Sequence, residues 1–407
     1  MVTSGTATAR VHRPSTVATA AELLRDSAGP VLFRGGGTAI QWGGRPAPPD
    51  LVVETAGLDR LIEHNPGDMT AAVGAGMPLR RLQETLAAAG QWLAIGPPSE
   101  AAGATIGGLL TGGDYGPRRL RYGAMRDLVI GVTLVLADGT VARSGGHVIK
   151  NVAGYDLSRL MYGSLGTLAL VGEVVLRLHP RPETSATVLA PADARAATAA
   201  TLALMASPLE PSCVEWLGGD PSGGRLAVGL DGSAEGVTAR LAGLHDLLTE
   251  SGLRPERLAP AEEEKLWLEV ATATGGGTDT VAAAGTLPSR SADVERELAK
   301  AADTAGVHAT LTSHLALGLH IARFTGNPAD VVTAFDDWRR RVVSMGGTVL
   351  LRDRPAEGGG RRRRSARSAA VRSAAAPPDQ ATARSGRSMC AGALRALVLT
   401  SSLRKRR

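Results

Sequence analysis

The residues that most restrict this chain are the glycines of Arg34-Gly35-Gly36-Gly37-Thr38, directly behind the apolar run Val31-Leu32-Phe33. A buried strand that runs into three consecutive residues without Cβ has two outcomes. It makes a tight surface turn, or it makes a nest in which successive backbone N–H groups converge on an anion. Thr38 could add a hydroxyl donor there and Arg34 a charge. The dinucleotide fingerprint would need glycine at position 40, where Ile40 stands, and no Gly-Lys-Ser/Thr follows for a Walker loop. The ligand reading that survives is a pyrophosphate nest of a non-Rossmann kind.

A second glycine segment runs from Gly96 to Gly113, with six glycines and Pro97-Pro98 in 18 residues. So long a glycine-rich loop inside a compact domain is usually functional. Its small residues let backbone touch a flat aromatic ligand, and Thr105 with the amides of Gly107 and Gly108 could hydrogen-bond the ligand's edge. A flexible loop is the alternative, although Thr105, Ile106, Leu109 and Leu110 are spaced for ordered packing. A third segment comprises Lys150-Asn151-Val152-Ala153-Gly154-Tyr155-Asp156-Leu157 and Met161-Tyr162-Gly163-Ser164-Leu165-Gly166-Thr167-Leu168. Gly163 and Gly166 would again allow close backbone approach.

Between these segments, strands alternate with helices, which points to α/β or α+β layers. Helices are expected over 15–28 and 79–89, the second with Pro78 at its first turn and Gly90 at its end. Strands are expected at 31–33, 51–53, 69–73 and 168–178. Asp138-Gly139 joins 129–136 to 140–143 as a hairpin. His179-Pro180-Arg181-Pro182 reads as a domain boundary. Beyond it come strand 186–189, helix 192–206, strands 213–217 and 225–230, and helix 234–251. Then follow helix 291–305, strands 307–312 and 317–324, helix 328–345 and strand 347–352. They form two βαββ-like units of an antiparallel α+β cap. The expected fold class is therefore α+β, with domains at 1–182 and 183–356 and a basic low-complexity segment at 357–407.

Composition bounds the partners. The net charge of +6 is misleading, because residues 357–407 hold 13 basic and 2 acidic side chains and the rest holds 32 basic and 37 acidic. The body is mildly acidic, which argues against a nucleic-acid partner. Cys213 and Cys390 are too few and too far apart for a cluster held by this chain or for a disulfide framework. No stretch approaches the roughly 18 apolar residues of a membrane-spanning helix. A cytoplasmic protein is expected, peripheral to a membrane at most through partners.

Taken in order, the three glycine segments resemble the FAD-binding (PCMH-type) domain of the vanillyl-alcohol oxidase superfamily. The nearest likeness within it is the FAD-binding E subunit of bacterial glycolate oxidase. The resemblance rests on Phe33-Arg34-Gly35-Gly36-Gly37-Thr38, Thr105-Ile106-Gly107-Gly108, Leu134-Val135-Leu136-Ala137-Asp138-Gly139, Val148 to Asp156, and Gly166-Thr167-Leu168. It is strong over 11–182 and weak over 183–355. It implies that Arg34, Gly35, Gly36, Gly37 and Thr38 hold the FAD pyrophosphate. Pro97, Gly103, Thr105, Gly107 and Gly108 would line the flavin and ribityl side. Gly154, Asp156, Gly166, Leu170 and Val171 would complete the pocket. Some members attach flavin through a histidine near the first glycine run; 35–41 contains none, so the FAD is expected to be non-covalent. The resemblance further implies a small 2-hydroxyacid substrate such as glycolate or D-lactate, with hydride passing to the flavin. It also implies two partners, a catalytic flavoprotein subunit and an iron–sulfur subunit. A stand-alone flavin oxidase and a non-catalytic FAD-binding assembly subunit are the alternatives.

Other chemistry is sparse. His314 and His320 would share a face of one continuous strand, as metal ligands or as ordinary strand histidines. His147 reads as loop structure before catalysis. Arg118, Arg119 and Arg121 could attract a carboxylate or form a solvated face. The segment from Glu357 has the composition of GC-rich DNA read out of frame, and a natural basic tail is the alternative. Resequencing the gene decides between them: the frameshift reading expects a missing or extra base near codon 357.

Overall fold

The computed structural model describes residues 9–44, 48–146, 155–218, 223–275 and 279–354. The chain begins with a small parallel sheet. Strand β1 (Arg10–His12) leads through helix α1 (Val17–Arg25) to β2 (Val31–Arg34), and both strands flank β3 (Leu51–Glu54). Helix α1 starts at Thr16, whose hydroxyl accepts from the Thr19 amide at 3.1 Å, and buries Ala20, Ala21 and Leu24.

Next come β4 (Leu61–Asn65), β5 (Thr70–Gly74), α2 (Leu79–Ala87), β6 (Gln91–Trp92) and three short helices. These are α3 (Ile106–Gly112), α4 (Arg119–Tyr122) and α5 (Met125–Leu128). Strands β7 (Val129–Val135) and β8 (Val141–Gly145) form the expected hairpin, with Gly139 in the left-handed region at φ 79°. Helix α6 (Leu157–Met161), β9 (Leu170–Arg177) and β10 (His179–Pro180) follow. The main sheet of this region has the order β4-β5-β9-β7-β8 and is antiparallel. Helix α2 buries Leu79, Leu82 and Leu86, three residues at helical spacing, into the core of this sheet. The segment 96–113 is not all loop, because its second half is α3, capped by Thr105.

The remaining elements repeat one pattern. The first copy is β11 (Thr184–Pro191), α7 (Ala194–Met205), β12 (Cys213–Gly218), β13 (Arg225–Gly232), α8 (Ala234–Glu250) and β14 (Glu256–Arg257). After α9 (Pro260–Thr274), which the sequence reading did not foresee, comes the second. It contains β15 (Thr280–Gly285), α10 (Ser291–Ala305), β16 (His308–His314), β17 (Leu319–Thr325), α11 (Pro328–Ser344) and β18 (Thr348–Asp353). The eight strands form one antiparallel sheet, β14-β11-β13-β12-β16-β17-β15-β18. Each half places its fourth, first, third and second strands in that order from the edge, and the halves join at β12 and β16. The fold is thus α+β throughout. Among the described residues no helix is long and apolar enough to cross a membrane.

The sheet corrects the expectation for the two histidines. The chain reverses at 315–317, so His314 and His320 lie on different strands, and His320 stands opposite Ser313. His314 therefore points to the other face, where Nδ1 meets Glu215 Oε1 at 2.5 Å. His320 is held by the Ser313 and Thr286 hydroxyls at 2.9 and 3.0 Å. Burial, with His314 adding to it, pushes the His320 imidazole down to about 3. A depressed folded value stabilises the fold above the ordinary histidine range and loses that contribution as pH falls from about 6.5 toward 3. Stability measured by urea melts should drop by on the order of 4 kcal/mol across that window, and His320→Gln should flatten the drop.

Candidate functional site

The three glycine segments meet. A cavity of about 390 Å³ is lined by Arg34 to Ala39, Gly107, Gly108 and Leu165 to Thr167, together with Leu170 and Val171 at the start of β9. Eight of its lining residues are glycines, and at several of them the reason is steric. A Cβ on Gly35 would strike the Thr105 hydroxyl, and one on Gly36 would fall inside the Gly103 carbonyl. Gly107 donates its amide to the Ala75 carbonyl at 2.7 Å, and a Cβ there would collide with Ala75. These are approaches that only glycine permits.

Local hydrogen bonds fix the third segment to the second. Thr105 caps α3 by accepting from the Gly108 amide at 3.3 Å. The Gly163 amide donates to the Leu110 carbonyl at 3.1 Å and the Leu165 amide to the Thr111 carbonyl at 2.8 Å, so the third segment hangs on α3. Leu165 itself takes a left-handed backbone, φ 52°, at the cavity wall, a position that costs a non-glycine residue on the order of 1–2 kcal/mol.

Not every expected residue faces the cavity. Gly103 and Thr105 stand behind the first glycine run, as its support. Pro97 leads into a short turn whose Ser99 donates to Asp114 at 2.5 Å. Asp156 caps α6 and pairs with Arg159 at 3.0 Å. Gly154 and His147 lie outside the described residues. Arg34 does line the cavity, but its guanidinium is paired with Glu54 at 2.5 Å. Glu54 also takes Arg13 at 2.8 Å, and these two arginines hold its carboxyl below the usual range. The cluster keeps one net positive charge beside the glycines. Among the described residues no His or Cys lines the cavity.

The sequence reading missed Ala39, Trp42, Thr111 and Gly112, which close one end of the cavity. Trp42 was visible as a large apolar residue just behind the glycine run. Thr111 and Gly112 were hidden by reading α3 as loop. From Trp42 a seam of buried polar side chains runs into the second region. Arg352 of β18 lies over the Trp42 ring at 4.3 Å and pairs with Asp114 at 3.2 Å. Tyr115 lies 5.1 Å from Arg352 and packs edge-on against His314, also at 5.1 Å. Burial raises the Tyr115 hydroxyl and the Glu215 carboxyl above their ordinary values; the arginines and His314 respectively oppose this.

Of the three arginines behind the second glycine segment, Arg118 pairs with Asp231 at 3.0 Å and the exposed Arg121 donates to the Glu210 carbonyl at 3.3 Å, both across to the second region, while Arg119 lies over Tyr115 at 4.7 Å within the first. Among the described residues no three His, Cys, Asp or Glu side chains are grouped so as to hold a metal ion.

With this geometry in view, comparison with known proteins is decisive for the first region. The FAD binding domain family matches residues 6–145. The first region is an FAD-binding domain of the PCMH type. FAD is its cofactor, and the glycine-walled cavity fits a ligand that must lie against bare backbone. The chain is 36% identical over 189 residues to glycolate oxidase subunit GlcD of Bacillus subtilis (strain 168), covering 46% of this chain and 40% of that one. It is 41% identical over 125 residues to glycolate oxidase subunit GlcE of Escherichia coli (strain K12), covering 31% and 36%. It is 39% identical over 152 residues to a D-lactate dehydrogenase of Archaeoglobus fulgidus, covering 37% and 34%. The matched stretch is well under half the length of each relative. A solved alkyldihydroxyacetonephosphate synthase shares the fold, with a TM-score of 0.64 over 83% of this chain and 71% of the other at 17% identity.

If this cavity holds the FAD, Gly36→Ala should lower flavin retention at least tenfold, because the Gly103 carbonyl has nowhere to go. Gly37→Ala meets open space and only strains a φ of 75°, a cost of about 1 kcal/mol. Its flavin content after gel filtration should stay close to wild type.

Proposed function

We propose that this chain is the FAD-binding subunit of a complex that oxidises a small 2-hydroxyacid, of the glycolate or D-lactate class, and delivers the electrons to an iron–sulfur partner. The observation that carries this reading is the cavity assembled from all three glycine segments. It stands in a chain whose relatives include two glycolate oxidase subunits and a D-lactate dehydrogenase. When bound, the flavin supplies a two-electron acceptor for hydride from the substrate's α-carbon. The chain's own residues hold and shield it. The backbone of 35–38 and 107–108 would receive the diphosphate, and Leu170 and Val171 would give the ring system an apolar floor. FAD would be held without a covalent bond, since no histidine or cysteine is among the described residues that line the cavity. In the seam, His314 meets Glu215 and Arg352 lies behind the cavity wall on Trp42.

One observation favours a second reading, an assembly subunit whose flavin takes no hydride from substrate. Both groups are already matched within the chain, Arg352 by Asp114 and His314 by Glu215, and all four are buried. Buried pairs of this kind hold parts together more readily than they bind a new anion. The purified complex mixed with glycolate or D-lactate in the absence of oxygen separates the readings. Bleaching of this chain's flavin, within the turnover time of the complex, is expected from the first. A flavin that stays oxidised while the complex turns over would leave only the second.

A further inference from the structure

The last strand of the second region packs behind the wall of the glycine-lined cavity. Of the residues 39–44 that follow the first glycine run, Ala39, Ile40, Trp42 and Gly44 line that cavity. This segment has little regular structure of its own. Its internal backbone hydrogen bonds are Ile40 to Gly37 at 3.4 Å and Trp42 to Ala39 at 3.1 Å. What fixes it comes from β18. The Gly43 amide donates to the Leu351 carbonyl at 2.7 Å, and Arg354 donates to the Gly43 carbonyl at 2.6 Å. Between these two bonds the Arg352 guanidinium lies on the Trp42 ring at 4.3 Å, with both side chains buried. Arg352 Nε and Trp42 Nε1 take no hydrogen bond among the described residues, so the contact is one of cation against ring. A planar, weakly hydrated cation suits such a place and an ammonium does not. Trp42 in turn packs against Gly112 of α3, at the other side of the same cavity end.

We propose that Arg352 is a positioning residue for the cofactor. From β18 it presses Trp42 onto the cavity wall, so that retention of FAD by the first region depends on docking of the second. The proposal rests on the reading that FAD occupies this cavity. It makes the two regions one binding unit: FAD should bind more tightly to the docked arrangement, and by reciprocity its binding should tighten the docking.

The test uses the full chain, stripped of flavin and titrated with FAD while flavin fluorescence is followed, with thermal unfolding of the flavin-free protein recorded alongside. Arg352→Met alone would strand the buried Asp114 carboxylate, so it is paired with Asp114→Asn. The pair Arg352→Met/Asp114→Asn should weaken FAD binding at least tenfold while the flavin-free protein melts within a few degrees of wild type. Arg352→Lys keeps the charge without the flat face and should weaken binding severalfold. In a Trp42→Leu background, adding the Arg352→Met/Asp114→Asn pair should change the affinity less than twofold, because the side chain it positions is gone. An affinity within twofold of wild type in both the pair and Arg352→Lys would overturn the proposal. So would equal losses with and without Trp42. Should the pair fail to fold, Arg352→Lys in the two backgrounds decides alone by the same criterion. Gly36→Ala, titrated in parallel, reports on the cavity itself: an unchanged affinity there removes the cavity reading whatever Arg352 does.

Discussion

Close contact between backbone and backbone is the constraint on which the cofactor region is built. Gly35 and Gly36 lie against Thr105 and Gly103, and Gly107 lies against Ala75. At each of these places a methyl group would occupy space already filled by a carbonyl or hydroxyl oxygen or by a neighbouring methyl. The result is a wall in which glycine backbone stands between side chains, so that N–H groups there can face a ligand directly. The second segment is tied to Ala75 through Gly107, and the third to the second through Gly163 to Leu110 and Leu165 to Thr111. The charge of the wall is modest. Arg34 is shared with Glu54 and Arg13, so the anion-holding capacity falls mainly on backbone dipoles.

The second region is organised by repetition. Two β-α-β-β-α-β units meet edge to edge at β12 and β16 and bury one continuous apolar core that includes Trp216, Phe324 and Trp338. The polar face of that junction carries Glu215 and His314, and it is turned toward Tyr115 of the cofactor region. Charges taken out of water are tolerated only when matched. The seam obeys this with two pairs that cross it, Arg352 with Asp114 and Arg118 with Asp231. A mismatch in docking would break both pairs at once. The seam thus specifies one relative placement of the two regions more sharply than an apolar interface of equal size.

This arrangement brings the second region up behind the glycine-lined cavity without any glycine motif of its own. β18 is the edge strand of the eight-stranded sheet, and its outer side would otherwise be unpaired. It meets the 39–44 segment instead. Covering an exposed strand edge and completing the cavity wall are the same contact.

The local elements were largely legible in the sequence. Apolar periodicity marked most of the longer strands and helices to within one to three residues, and Pro78, Gly90 and Asp138-Gly139 marked their ends. The glycine segments were legible as well, since absence of Cβ is a property of the residue and not of its surroundings. Three things were not. Helix α9 escaped although Leu266, Val270 and Thr274 recur at helical spacing, and the helical half of 96–113 escaped because its glycines read as loop. The fate of the charged residues escaped too. Arg34, Arg118 and Arg352 are alike in sequence, and only the folded chain decides that Arg34 meets Glu54, Arg118 meets Asp231 and Arg352 lies on Trp42. The placement of His314 and His320 was decided the same way, by a reversal at 315–317 that sets them on opposite faces. Sequence by itself determined where the backbone could come close to something. Tertiary structure determined what it came close to, because partners more than a hundred residues apart are chosen by the packing of two sheets and not by any local preference.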